Sequence, residues 1–436
     1  MKFSKFVSYH LNGEQTILFN TAKEAVLVLE ADLMKIVKQN LETPEKLEKI
    51  HPDLFYSLKS MEFIVSNELD EVKSLIQKWE NEENDPSNYG IIINPTLNCN
   101  LRCWYCYETH KPSEVMGEKT KQAILKFIEN KTSDPKLKKL NISFFGGEPL
   151  LYFKETVLPI LEHASSLCVK KGIQLYSNFT TNGVLLNNQI IENLNKLPLT
   201  RKATFQITLD GNEQIHNSIR VGTAKKPTYK IILTHIKEAL EMGNEVFVRF
   251  NYTYDNILTF YDVLDDFKSM QLNLFKDIIS IKFEHVWQDN ANRTQTRPIL
   301  KNLRKAFTDE NFRVDTDDIH FRHVCYADSP NHLVVNYNGN IFKCTARDFT
   351  ENNKEGILDE NGNIYLNSKF KQRMTIKYNN KECLKCIILP ICNGGCSQGK
   401  IESGIQDKCY KNMSEEEKLN YLQARMTEVI NRHIRQ

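Results

Sequence analysis

The 436-residue chain lacks any long hydrophobic run. No stretch approaches the roughly 18 apolar residues that cross a bilayer as a helix. The opening MKFSKFVSYHLNGEQ is broken by polar residues and holds no apolar signal core. A cytoplasmic protein without a membrane partner is expected. Neither sign of charge is in excess, since 57 Lys plus Arg against 55 Asp plus Glu leaves +2. A protein built to neutralise phosphates would carry a basic stripe, so no nucleic-acid partner is expected. Proline (13) and glycine (17) are few, which argues against long disordered tracts. What remains, 41% apolar and 26% charged residues, is an ordinary globular composition with room for two or three domains.

Cysteine is the exception. There are 11, an odd number. Without a secretory signal a disulfide scaffold is a poor reading. Three lie between 99 and 106, one at 168 and seven between 325 and 409. Clustered thiols in a reducing compartment point to metal. Cys168, alone on a predicted helix, reads as a buried, inert thiol.

The hydrophobic pattern divides the chain at about residues 88 and 304. In residues 1–88, KFVSYHL and QTILF flank Asn12-Gly13, a hairpin signal. EAVLVLEADL could add a third strand or open a helix, and Pro44–Leu58 and Asn67–Glu82 read as helices. From 89 to 304 strand-like runs (GIIIN, LNISFF, QLYSNFTT, ATFQITL, EVFVRFNYT, ISIKFEHV) alternate with five helical segments. This is the pattern of an α/β protein with a parallel sheet. Six strands are too few for a closed eight-stranded barrel, so a partial (β/α)6 TIM barrel is expected. Residues 305–436 hold short strands, turns and cysteines, with a last helix at Ser414–Arg435. So little apolar periodicity suggests a fold held by metal.

Cys99, Cys103 and Cys106 follow the first barrel strand in the spacing CxxxCxxC. Barrels of this kind carry their chemistry at that end. Three thiolates on one loop can hold three irons of a 4Fe–4S cube and leave the fourth open; a zinc site with a distant fourth ligand is the alternative. Further motifs end the next strands: FFGGEPLL (144–151), TTNG (180–183) and TLDG (208–211), followed by IHNSIR (215–220). The set resembles the radical S-adenosylmethionine enzymes. That resemblance implies a 4Fe–4S cluster on Cys99, Cys103 and Cys106. It also implies S-adenosylmethionine contacts at Tyr105 (adenine), Gly146, Gly147 and Glu148 (the methionine amino group), Asn182, Thr208, Asp210 and Arg220. The activity implied is reductive cleavage of S-adenosylmethionine to a 5′-deoxyadenosyl radical that abstracts hydrogen.

The seven late cysteines resemble the SPASM extension of a peptide- and protein-modifying subgroup. Two auxiliary iron–sulfur clusters are then implied, three 4Fe–4S clusters in all. Cys325, Cys344 and Cys396 would serve the first, and Cys383, Cys386, Cys392 and Cys409 the second. Members with a full first set carry one more cysteine upstream, where this chain reads DTDDIHFRHV (315–324). An open iron, His320 or His323, or a substrate thiol could complete that set.

Two peptide-directed activities are compatible with the resemblance. One is a maturase of ribosomally made peptides, installing a thioether or carbon–carbon cross-link. Its winged-helix-like α+β domain at 1–88 would capture the leader of a precursor peptide on an exposed sheet edge. The other is an anaerobic sulfatase-maturating type, oxidising Cys or Ser to formylglycine. That group places an acidic base after the second SPASM cysteine, where this chain has Thr345. The maturase is the favoured expectation, with flavodoxin or ferredoxin as electron donor and no catalytic base identified. A protein of another class, with zinc knuckles for nucleic acid, would be colourless where an iron–sulfur protein is brown.

Overall fold

The computed structural model describes residues 1–222, 226–290, 293–315, 325–404 and 407–435. The chain packs as two compact units: Met1–Asn84, Asp318–Ser329 and Lys371–Gln436 in one, Asp85–Asp317 and Pro330–Phe370 in the other. This differs from the three-part division expected from the hydrophobic pattern. Residues 330–370 hydrogen-bond into the barrel sheet, and the N-terminal strands share a core with the C-terminal helix.

The N-terminal segment forms an antiparallel sheet of β1 (Val7–Asn12), β2 (Gln15–Asn20) and β3 (Ala25–Leu29), in that order. Gly13, at φ +63°, makes the tight turn. EAVLVLEADL supplies both β3 and the start of α1 (Ala31–Gln39). The helix expected over Pro44–Leu58 is interrupted. A short turn of helix ends at Ile50, and α2 (Pro52–Ser60) begins at a proline, whose missing N–H is tolerated at that position. α3 (Glu71–Glu83) is capped by Asp70, which accepts from the Lys73 amide at 3.0 Å.

In the second unit β4 (Asn88–Ile93), β5 (Lys139–Phe144), β6 (Gln174–Thr181), β7 (Thr204–Leu209), β8 (Val246–Tyr252) and β9 (Ile279–His285) pair in parallel, each with its successor. Between them run α4 (Glu118–Thr132), α5 (Leu158–Lys171), α6 (Asn188–Asn195), the short α7 (Glu213–Ile219), α8 (Tyr229–Glu241) and α9 (Phe260–Ser269). This is the expected partial barrel. After α10 (Arg293–Asp309), β10 (Arg313–Asp315) adds a short strand beside β9. On the other side, β11 (His332–Val335) pairs in parallel with β4. An antiparallel meander of β12 (Asn340–Phe342), β13 (Gly356–Leu358) and β14 (Ile364–Leu366) follows, completing an eleven-stranded sheet.

The barrel strands alternate in character. On β6, Leu175, Ser177, Phe179 and Thr181 are buried, while Tyr176, Asn178 and Thr180 are half-buried on the opposite face. The apolar face meets the helices in one large core, where Phe250 packs on Phe260 at 4.7 Å between ring centroids and on Phe283 at 5.1 Å. The other face is polar. Thr180 is registered with Gln206, and Thr208 with Arg249. A filled barrel would carry branched apolar side chains there. This face is built to meet a polar ligand.

The first unit closes with α11 (Ser397–Ser403) and α12 (Glu415–Arg435). Leu422, Met426 and Val429 of α12 pack with Ile17 and Phe19 of β2. Lys377 joins the three segments of this unit by bonding Glu83 at 2.8 Å and Asp328 at 3.2 Å. Among the described residues no helix is long and apolar enough to cross a membrane.

Candidate active site

The cysteine loop leaves β4 and is held by local hydrogen bonds. Thr96 Oγ1 donates to the Glu114 carbonyl at 2.6 Å and accepts from the Asn98 amide at 2.9 Å. The Cys106 amide reaches the Cys103 carbonyl at 3.1 Å, and the Leu101 amide points at Cys99 Sγ, 3.4 Å away. Cys99 is buried, Cys103 half-buried and Cys106 exposed. Burial pushes the Cys99 thiol up to about 12, so its thiolate needs a cationic partner.

The loop after β5 docks on this one. Gly146 and Gly147 have φ of +78° and +53°. A Cβ on Gly147 would overlap the Asn98 carbonyl oxygen, so only glycine allows this approach. The Gly147 amide donates to Glu108 Oε2 at 2.7 Å, and the Glu148 amide to the Asn98 carbonyl at 2.9 Å. Burial pushes Glu108 up to about 7. The Glu148 carboxylate is fully buried and binds the Asn182 amide (2.7 Å), Thr181 Oγ1 (2.8 Å) and the Leu150 amide (3.0 Å). Burial raises it to about 7 against these three donors.

At the end of β7, Tyr105 donates its hydroxyl to Asp210 Oδ1 at 2.6 Å. Arg220 bonds Asp210 Oδ2 through Nε and the Tyr105 hydroxyl through a terminal nitrogen at 2.9 Å. Asn251 adds a third contact to that hydroxyl at 3.1 Å. Burial raises the Tyr105 phenol well above its ordinary range.

A cavity of about 150 Å³ opens between these loops. Cys99, Cys103, Cys106, Tyr105, Gly146, Gly147, Asn182, Thr208 and Arg220 line it. Glu148 and Asp210 do not; they brace the wall from behind. Glu108, Thr180, Gln206, Arg249 and Asn251 also line the cavity; none of these was singled out from sequence. Arg249 Nε and Asn251 Oδ1 are buried there without a hydrogen-bond partner. Three thiols on one loop, bare glycine backbone and unpartnered polar atoms fit a cluster-bound polar cofactor.

Cys383, Cys386, Cys392 and Cys409 line one pocket of about 530 Å³ in the first unit. Asn380 orients Cys383 by accepting its amide at 2.9 Å, and the Cys386 amide bonds the Cys383 carbonyl at 3.1 Å. Cys396 caps α11, its sulfur accepting from the Gly399 amide at 3.4 Å. Cys325 and Cys396 belong to this unit and Cys344, just after β12, to the other. His320 and His323 lie outside the described residues. Cys168 is buried on α5. Among the described residues no three His, Cys, Asp or Glu side chains converge as they would on a single ion. A cubane places each thiolate on its own iron and asks for a wider set.

Residues 93–270 match the radical SAM superfamily. The match runs from the end of β4 through α9, and over it the chain is similar to enzymes of that superfamily. Among its relatives is the radical SAM cyclopropyl synthase TigE of Paramaledivibacter caminithermalis. It is 22% identical, over 77% of this chain and 74% of TigE. A cysteine-type anaerobic sulfatase-maturating enzyme of Clostridium perfringens is also 22% identical, over 70% of this chain and 88% of its own. The solved structure of Streptococcus suis SuiB bound to precursor peptide SuiA superposes with a TM-score of 0.55 at 15% identity, covering 94% of this chain and 100% of SuiB.

Proposed function

We propose that the chain is a maturase of a ribosomally made precursor peptide, in which it installs a thioether or carbon–carbon cross-link. One observation carries this reading. The superposition on SuiB covers 94% of the chain, more than residues 85–436 alone could supply, so the likeness of fold extends into the N-terminal sheet and helices. The exposed edge strand β1 would take the leader, and the polar cavity the core peptide with the cofactor.

When bound, the cluster and S-adenosylmethionine supply one-electron cleavage to a 5′-deoxyadenosyl radical. Cys99, Cys103 and Cys106 hold the cluster. Gly146 and Gly147 give bare backbone to the methionine amino group. Asn182, Thr208, Arg249 and Asn251 present polar side chains to the rest of the ligand. Asp210 and Arg220 fix the Tyr105 ring, and Glu148 ties the loop after β5 to the end of β6. Cys383, Cys386, Cys392 and Cys409 hold an auxiliary cluster. A flavodoxin or ferredoxin supplies electrons.

The test is anaerobic reconstitution with iron and sulfide, followed by a strong reductant, S-adenosylmethionine and a precursor encoded beside the enzyme. The expected result is 5′-deoxyadenosine together with a peptide lighter by two hydrogens. Fully loaded protein that never yields 5′-deoxyadenosine would sink the reading. Formylglycine formation is the competing activity, favoured by the Clostridium perfringens relative. Thr345 stands where that activity needs an acid. A product that reacts with a hydrazide aldehyde trap would favour it over a cross-link.

A further inference from the structure

Lys400, on α11, is 1% exposed. Its ammonium lies 3.7 Å from Cys383 Sγ. No carboxylate stands within ion-pair distance of it among the described residues. Lys377, equally buried in the same unit, shows the usual solution, with Glu83 and Asp328 both bonded to its ammonium. Two of the lysines that line the pocket are paired with carboxylates. Lys418 pairs with Glu415 at 2.5 Å and Lys385 with Glu382 at 3.5 Å. An ammonium withdrawn from water demands a negative partner, and a neutral thiol is a poor one.

We infer that Lys400 sets the reduction potential of the group held by Cys383, Cys386, Cys392 and Cys409. The inference rests on the cluster reading of those four cysteines. Metal-bound sulfur is anionic and supplies the charge that Lys400 lacks. Reduction adds one negative charge to the cluster, and a fixed ammonium against one of its sulfurs favours that state. Net charge and hydrogen bonds to sulfur are the levers by which proteins tune such potentials. Lys400 is thus a positioning residue, acting through Cys383.

The full-length protein with Cys99, Cys103 and Cys106 replaced by Ala isolates the C-terminal clusters. It would be reconstituted anaerobically and titrated with redox mediators, with the spin resonance of the reduced clusters as readout. In that background Lys400→Met is expected to lower one midpoint. The ratio of reduced to oxidised cluster at fixed potential should fall about tenfold, or about 59 mV for a one-electron couple. Lys400→Arg should hold the midpoint of the parent. Loss of iron in Lys400→Met but not in Lys400→Arg would also support a role for the charge. Full iron with an unmoved midpoint in Lys400→Met, or equal effects of both variants, overturns the inference. If Cys383→Ala removes no iron from the parent, the cluster reading itself fails, a distinct result.

Discussion

Tyr105 and Asp210, 105 residues apart in sequence, are joined by a 2.6 Å hydrogen bond that fixes the aromatic ring of the cysteine loop to the end of β7. Arg220 closes the triangle from the far end of α7. Side-chain exposure is 7% for Arg220 and 0% for Asp210, so the pair has little help from water. Asp210→Asn would leave a buried guanidinium without its counter-charge. A loss of about 3–5 kcal/mol is expected, measurable by urea unfolding. Tyr105→Phe keeps the pair and should cost only about 1 kcal/mol. It should weaken S-adenosylmethionine binding about tenfold. Unchanged binding would show that the hydroxyl anchor to Asp210 and Arg220 does not position the ring.

Replacing Cys99, Cys103 and Cys106 together by Ala should abolish 5′-deoxyadenosine formation by at least 1000-fold, about 4 kcal/mol of lost catalysis. Iron should fall by only the share of one cluster. Chromatography of the nucleoside and an iron assay on the same sample check both halves.

Gly147→Ala sets a methyl group against the Asn98 carbonyl at a φ of +53°. The loop after β5 must move away from the thiol loop. A stability cost of about 1–3 kcal/mol is expected from the backbone alone. A larger loss of S-adenosylmethionine affinity should accompany it, read by calorimetry. Wild-type binding in a folded variant would remove the close approach from the argument.

His332 sits on β11 directly across from Gly90 of β4, where any Cβ would overlap its imidazole. Burial, with Lys343 nearby, lowers its pKa to about 3. The native state keeps it neutral while the unfolded chain takes up a proton near pH 6.5. Its stabilising effect is therefore complete above about pH 6.5 and is lost as pH falls from there toward 3. His332→Gln should flatten the acid side of the stability curve relative to wild type over that window, measured by unfolding at successive pH values. Parallel curves would contradict the assignment.

Leu11, 84% exposed, and Tyr9, 43% exposed, stand on the edge strand β1. Leu11→Asp and Tyr9→Asp should each weaken binding of a leader peptide about tenfold, near 1.4 kcal/mol. The melting temperature should hold. Fluorescence anisotropy with labelled leader reads the first and calorimetry the second. Deleting residues 1–84 is a poorer test, because Ile17 and Phe19 cover Leu422, Met426 and Val429.

Much of this site is legible in the sequence because each loop follows a strand of strong apolar character. CxxxCxxC, GGEP, TTNG and TLDG mark four successive strand ends, and strand order alone brings them to one rim. Pairings across the rim are not legible. Asp210 and Arg220 read as two separate ligand contacts until α7 turns the second back onto the first. Arg249 and Asn251 look like the solvent side of an ordinary alternating strand in VFVRFNY; only curvature of the sheet makes that side an interior. Lys400 reads as one more helix-surface lysine. The course of β11 to β14 is hidden for another reason, since strands of three or four residues carry too little pattern to reveal their partners.

The strand that delivers the three thiols is flanked on one side by β5 and on the other by β11. Fraying of the late meander would strip hydrogen bonds from the root of the cysteine loop. Amide protons of Ile91, Leu333 and Val334 should then exchange at a common slow rate, as one cooperative block. The turn from Asp359 to Asn363 is itself pinned to α4, where Lys126 and Asn130 donate to the Glu360 and Asn361 carbonyls, so that ribbon cannot detach without loosening the strand that carries Cys99, Cys103 and Cys106.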